Sequence, residues 1–312
     1  MTIASKGNAP APRPAGVLAP VLTPFRADLA PNAEGFLGHC NWLLEHGCSG
    51  LAVFGTTSEA NSLSVEERER LLEHLLGAGI DPAKLVPGTG SCALPDAVRL
   101  TRAATRAGCA GVLMLPPFYY KGVNDDGLFR FFAEVIERVG DSRLRVYLYH
   151  IPQVAHVGIG PGLVERLLAR YPGVVAGMKD SSGDWDNTRA MIERFGHSGF
   201  DVFAGSERFL LATVRAGGAG CITATANVNA AAIRALFDAW RTDRADGLQQ
   251  SVNAVRSALE RYPVVPALKA IVAHRARDTG WRAVRPPLVE LAPERADALL
   301  GELRAAGFDP AK

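Results

Sequence analysis

Short apolar runs alternate with longer stretches in which apolar residues return every three or four positions, and this alternation repeats along most of the chain. Gly16-Val17-Leu18-Ala19-Pro20-Val21, Leu51-Ala52-Val53-Phe54 and Leu85-Val86-Pro87-Gly88 are the first three runs. Each is short enough for a strand and apolar enough to be buried on both faces. Five more follow, over 111–115, 144–150, 174–179, 201–204 and about 220–224. Between them the helical period predicts helices over about 32–45, 64–76, 95–107, 127–139, 161–170, 185–195 and 207–216. Gly47 and Gly108 stand where helix stops belong, and Ser64-Val65-Glu66-Glu67 has the pattern of a capping box.

Strand and helix in strict alternation call for a parallel sheet with crossover helices. Eight such units in a chain of this length predict closure into an α/β (β/α)8 TIM barrel. An open doubly wound sheet is the rival, but the sequence has neither GxGxxG after the first strand nor GxxxxGK[ST]. Beyond about Asn229 the helical pattern continues without strands, over 231–240, 248–259, 264–273 and 288–303. The expected organisation is a tail over 1–14, a barrel over 15–228 and a C-terminal helical extension over 229–312.

Composition narrows the partners. A chain of 312 residues, 48% hydrophobic and 21% charged, can bury a large core, and a net charge of +2 with no long basic run gives no case for nucleic acid or a membrane surface. Residues 1–14 lack the apolar core of a secretory signal, and no apolar stretch reaches membrane-spanning length. Five scattered cysteines without a CxxC pair fit reduced thiols in a cytoplasmic protein.

Candidate chemistry gathers at the carboxyl ends of the strands, where a barrel places its active site. Lys179 ends an apolar run in a chain with six lysines and 28 arginines. A partly desolvated amine there can attack a carbonyl as a Schiff-base nucleophile; equally, the side chain can leave the core and snorkel to solvent. Tyr149 ends the preceding strand and could hand protons to or from a bound carbonyl, or be a core tyrosine with its hydroxyl at the rim. Successive N–H groups at Thr56 and Thr57 could receive a carboxylate. Glu59, Asp180 and Glu207 could orient polar substrate groups or cap helices. His39, His46, Cys40 and Cys48 read as packing residues rather than a metal site, and Lys269 as a surface position of a helix.

Taken in order, Gly55-Thr56-Thr57-Ser58-Glu59 with Leu63, Ser64 and Glu67, Pro117-Phe118-Tyr119-Tyr120, Tyr149-His150-Ile151-Pro152, Lys179-Asp180-Ser181-Ser182-Gly183 and Gly205-Ser206 resemble the dihydrodipicolinate synthase and N-acetylneuraminate lyase family. The resemblance runs over nearly the whole chain after the tail. It implies a barrel with a helical extension, a homotetramer built from dimers or a homodimer, and an imine with pyruvate or a 2-oxo acid, without a metal or organic cofactor. In that pattern Lys179 forms the imine, Tyr149 shuttles protons, Thr57 relays them, and Tyr119 approaches a neighbouring subunit's site. Thr56 and Thr57 bind the carboxylate. Gly205 brings backbone close to the substrate, and Ser206 and Glu207 partly match the groups that bind a polyhydroxy chain.

The pattern breaks two residues after Pro152, where synthase members carry an arginine for a second carboxylate and this chain has Val154. An apolar side chain cannot replace a bidentate charge contact, which disfavours 4-hydroxy-tetrahydrodipicolinate synthesis. The expected activity is a Schiff-base lyase, a class I aldolase with pyruvate as one partner. Dehydration of a 3-deoxy-2-oxo sugar acid through the same imine and non-catalytic binding of a 2-oxo acid are the alternatives.

Overall fold

The computed structural model describes residues 13–311. Of the expected tail over 1–14, residues 1–12 lie outside the described residues. Seven strands are continuous among the described residues: β1 Gly16–Ala19, β2 Gly50–Leu51, β3 Val112–Met114, β4 Val146–His150, β5 Val175–Asp180, β6 Asp201–Ala204 and β7 Gly220–Ile222. All pair in parallel, in the order β2-β1-β7-β6-β5-β4-β3.

The segment 85–88, expected as a full strand, joins the two edges by single bridges instead. Leu51 pairs with Leu85 and Gly88 with Leu113, both in parallel. Val86 N–H donates to the Leu51 carbonyl at 2.9 Å and Leu113 N–H to the Pro87 carbonyl at 2.8 Å, so the cylinder closes here. Pro87 has no N–H to give, which keeps this segment from forming a regular ladder.

Strand alternation divides the apolar residues into two sets. Leu18, Ala52, Val86, Leu113, Tyr147, Tyr149, Ala176, Phe203 and Ile222 belong to the cluster inside the barrel. Val17, Val112, Met114, Leu148, Met178, Val202 and Cys221 pack outward against the helices. Burial on both faces explains why the strands read as continuous apolar runs. At the amino end of the strands Arg13 donates to Asp201 at 2.8 Å and Tyr147 donates to the same carboxylate oxygen at 3.0 Å. The opposite end is left for a site.

The surrounding helices are α1 Ala33–Glu45, α2 Val65–Gly77, α3 Leu94–Arg106, α4 Asp125–Val139, the one-turn α5 Pro152–Ala155, α6 Pro161–Arg170, α7 Trp185–Phe195, α8 Leu210–Arg215 and α9 Ala226–Asp238. Ser64 and Glu67 form the expected capping box at α2, with bonds of 3.1 and 2.9 Å. α9 bends at Asn229 (φ −127°, ψ 32°), where the sequence pattern changes from barrel to extension. Beyond the bend Ile233 and Leu236 still pack in the barrel's outer core.

The extension follows as α10 Ala245–Leu259, α11 Val264–Ala276 and α12 Pro293–Ala305. The last helix begins at Pro293 rather than Leu288, with the proline in its first turn where the missing N–H costs nothing. Val255, Leu259, Leu268, Ile271, Leu299 and Leu303 form a second core that also takes in Leu22 and Val228. Lys269, expected on the surface, is instead fully buried in α11, which is buried continuously from Val265 to Ala273. A helix apolar all round has no solvent face on which to display a lysine.

His39 and Cys40 are likewise buried. Asn227 donates its amide to the carbonyls of Pro20 and Ala224, both at 2.9 Å, which fixes its Oδ1 as an acceptor. His39 Nε2, 3.0 Å from that oxygen, must therefore carry the proton, leaving Nδ1 to accept from Arg275 at 3.4 Å. Burial, reinforced by the Arg275 charge, pushes the imidazole down to about 3, against the opposing bond to Asn227. Among the described residues no three His, Cys, Asp or Glu side chains are grouped to hold a metal.

Candidate active site

β4 and β5 pair with Tyr149 opposite Lys179, so both side chains point into the barrel at its carboxyl end. Tyr149 is 3% exposed and Lys179 5%. The lysine Nζ donates to the Tyr149 hydroxyl at 3.3 Å and lies 4.3 Å from the centre of the same ring. The snorkelling alternative for Lys179 is thereby removed.

On the far side of the phenol, Thr56 Oγ1 is 3.3 Å from the Tyr149 oxygen. It is Thr56, not Thr57, whose hydroxyl completes the chain amine, phenol, hydroxyl. Adjacent residues of a tight turn point in different directions, and the dipeptide alone does not say which one faces the barrel. Thr57 is buried beside it.

The turn carrying both threonines is bracketed by Phe54 (φ 60°) and Glu59 (φ 56°), two non-glycine residues in the left-handed region. Such residues cost free energy and persist only where their surroundings impose them. Inside the turn Ser58 N–H donates to the Gly55 carbonyl, and Glu59 N–H to that of Thr56, each at 3.1 Å. Thr23 Oγ1 holds the Ser58 carbonyl at 2.8 Å, and Ser58 Oγ accepts from Gly55 N–H at 3.1 Å. Among the described residues the N–H groups of Thr56 and Thr57 have no acceptor within the chain. Two unsatisfied donors beside Tyr149 suit an anion.

A narrow cavity of about 10 Å³, room for a single water, opens between Phe54, Gly55, Thr56, Asn61, Gly88, Gly90, Leu115 and Tyr149. Lys179, its Nζ 3.3 Å from the Tyr149 hydroxyl, is not part of the cavity wall. Asn61, Gly88, Gly90 and Leu115 were not singled out from the sequence; for Gly90 and Leu115 a place just past a strand end is the available signal, and for Asn61, in the short turn over 60–62, there is none.

The remaining expected residues fall into two groups. Asp180 supports the site from outside the barrel: its Oδ2 accepts from Thr188 at 2.6 Å and Asn187 at 3.0 Å, and its Oδ1 from Ser182 N–H at 2.9 Å. Gly205 is pressed onto Ser181, where a Cβ would lie 2.7 Å from the Ser181 Cα, so close backbone packing alone requires the glycine. His150 Nδ1 accepts from Ile159 N–H at 2.9 Å; burial holds its imidazole below the ordinary range, with Asp180 pulling the other way.

The others turn away. Ser206 Oγ accepts from Arg208 N–H at 3.3 Å, which caps the short turn after β6. Glu207, expected to bind substrate, is fully buried against the extension, accepting from Thr223 and, at 3.4 Å, from Arg256. Three residues past the β6 end it follows the chain outward toward α10, and its Oε2 is committed there. Glu59 pairs with Lys269 instead of facing the cavity. Tyr119 is 73% exposed and stacks edge-on against Tyr120 at 5.3 Å, outside the cavity of a single chain.

This arrangement of a buried amine, a phenol and a free pair of backbone donors can be set beside known proteins. An uncharacterized DapA-like lyase from Chloroflexus aurantiacus is 35% identical over 288 residues, covering 92% of this chain and 95% of that protein. The crystal structure of dihydrodipicolinate synthase from Agrobacterium tumefaciens superposes with a TM-score of 0.86 at 34% identity, covering 93% of this chain and 99% of that one. YagE, a prophage protein of the dihydrodipicolinic acid synthase family from E. coli K12 solved in complex with pyruvate, gives 0.85 at 27% identity, covering 94% and 99%. The model of the dihydrodipicolinate synthetase family matches residues 13–306, and the chain belongs to that family.

Proposed function

We propose that the protein is a Schiff-base-forming lyase of 2-oxo acids, with Lys179 as nucleophile. The observation that carries this reading is the chain Lys179 Nζ, Tyr149 hydroxyl and Thr56 Oγ1, each step 3.3 Å, beside the free N–H groups of Thr56 and Thr57. The substrate carboxylate sits on those N–H groups. The lysine, as free amine, adds to C2, and loss of water gives a protonated imine. With a 4-hydroxy-2-oxo acid, Tyr149, having given its phenolic proton to the hydroxyl that left as water when the imine formed, takes the proton from the C4 hydroxyl. The C3–C4 bond breaks, its electron pair passes to the imine nitrogen, and an aldehyde leaves. The enamine is then protonated at C3, and hydrolysis of the imine frees pyruvate. Condensation is the same path reversed.

Val154, 57% exposed on α5, supports an aldehyde partner without a carboxylate at that position. The exposed pair Tyr119 and Tyr120, with Val123 and Val154, supports assembly into dimers and a homotetramer, which sedimentation equilibrium would measure. The five free thiols fit a cytoplasmic setting. No helix among the described residues is long and apolar enough to cross a membrane.

The test is pyruvate followed by borohydride, which leaves a permanent mass on Lys179 of the active protein. An unmodified Lys179 in a folded, active preparation defeats the proposal.

A further inference from the structure

The left-handed turn that carries Thr56 and Thr57 is held by a part of the chain more than two hundred residues away. Glu59 Oε1 accepts from Lys269 Nζ at 2.5 Å, with the two side chains 1% and 0% exposed. Its other oxygen accepts from Arg285 N–H at 2.9 Å. Lys269 also donates to the Ala283 carbonyl at 2.6 Å and sits 4.4 Å from the centre of the Phe25 ring. Arg285 in turn donates to the Ser62 carbonyl at 2.6 Å and makes a two-bond pair with Glu67 at 2.6 and 2.7 Å.

Both ends of the turn are strained, but only the Glu59 end is tied to the extension by a desolvated ion pair. A buried pair of this kind is weak evidence for stability, since apolar residues fill such space as well. It does fix one geometry, because neither charge has another place to go. The Glu59 N–H closes the turn on the Thr56 carbonyl, so moving Glu59 moves the peptide units that carry the free N–H groups of Thr56 and Thr57.

We propose that Lys269, on a helix outside the barrel, is a positioning residue for the site: through Glu59 it fixes the turn that presents the backbone donors of Thr56 and Thr57. This rests on the reading that the turn receives the substrate carboxylate. The extension is then part of the binding apparatus as well as a cover for the barrel.

Three proteins test it: the native chain, Lys269→Met, and the double variant Glu59→Gln with Lys269→Met, which leaves no buried charge unpaired. Two readouts are taken on each folded protein. One is amide exchange in peptides covering residues 53–60. The other is the pyruvate concentration that half-saturates borohydride trapping on Lys179. Both variants should exchange at least tenfold faster in that segment and need at least tenfold more pyruvate. Exchange in β4 and β5, and the amount trapped at saturation, should stay unchanged. Where the single variant does not fold, the double variant decides by the same readings. Exchange and half-saturation within twofold of the native protein overturn the proposal, as does faster exchange spread evenly over the barrel. If the native protein itself takes no pyruvate on Lys179, the functional reading fails, while exchange at 53–60 still decides whether Lys269 holds the turn.

Discussion

Tyr149→Phe separates the chemistry of the site from its packing. The substitution removes one hydroxyl and keeps the ring, whose centre lies 4.3 Å from Lys179 Nζ. The hydroxyl has two partners, Thr56 and Lys179, both at 3.3 Å, at the long end of hydrogen-bond geometry. Their combined loss should cost folding only about 1 kcal/mol, the lower end of what two such bonds contribute. A positioned general acid–base group supplies about 10²- to 10⁴-fold in rate, or about 2.7–5.4 kcal/mol of barrier. The variant should therefore melt within a few degrees of the native protein yet lose at least about a hundredfold in kcat/KM. Pyruvate release from 4-hydroxy-2-oxo acids, coupled to a lactate dehydrogenase, measures the rate. Thr56→Val, which removes only the outer hydroxyl, should cost about tenfold, the equivalent of one hydrogen bond of about 1.4 kcal/mol. A Tyr149→Phe protein with kcat/KM within fivefold of native would refute the assignment of proton transfer to this phenol.

Three further outcomes are expected. Unfolded His39 takes up its proton near pH 6.5, but in the native state not until about 3. Its contribution to stability is therefore complete above the unfolded value and is lost as pH falls toward 3, by up to about 1.4 kcal/mol per pH unit. Urea midpoints at pH 7.5 and 5 should show a loss of about 2 kcal/mol that His39→Gln does not share, and equal losses in both proteins would contradict this. Gly205→Ala, whose methyl would sit 2.7 Å from the Ser181 Cα, should destabilise by about 1–3 kcal/mol, and an unchanged melting temperature would count against that close packing. Ser64→Ala removes the acceptor for Glu67 N–H and should cost about 1 kcal/mol in denaturant titration without altering pyruvate trapping; a change in trapping would tie α2 to the site.

The parts of the molecule legible from the chain are those where neighbouring residues decide the outcome. β5 could be read because a lysine ends an otherwise apolar strand, and α2 because its cap lies within four residues. The segment at 85–88 has the composition of a strand, but Pro87 limits its ladder to single bridges. Lys269 carried a signal that was passed over, an all-round apolar helix with no polar face, yet its partner stands 210 residues away and no local pattern points to it. Whether Thr56 or Thr57 meets Tyr149, and whether Glu207 turns inward or toward α10, depends on turn dihedrals that the residue types do not determine.

The seam at 85–88 also limits how the cavity can change. A Cβ on Gly88 would lie 2.8 Å from the Phe54 carbonyl carbon, and one on Gly90 would lie 2.7 Å from the Leu115 Cβ. That wall is therefore bare backbone of fixed shape, and no ordinary substitution can narrow or decorate it. Divergence in the preferred substrate has to be written on the side chains of the lining, at Asn61 and Leu115, while the backbone wall stays the same.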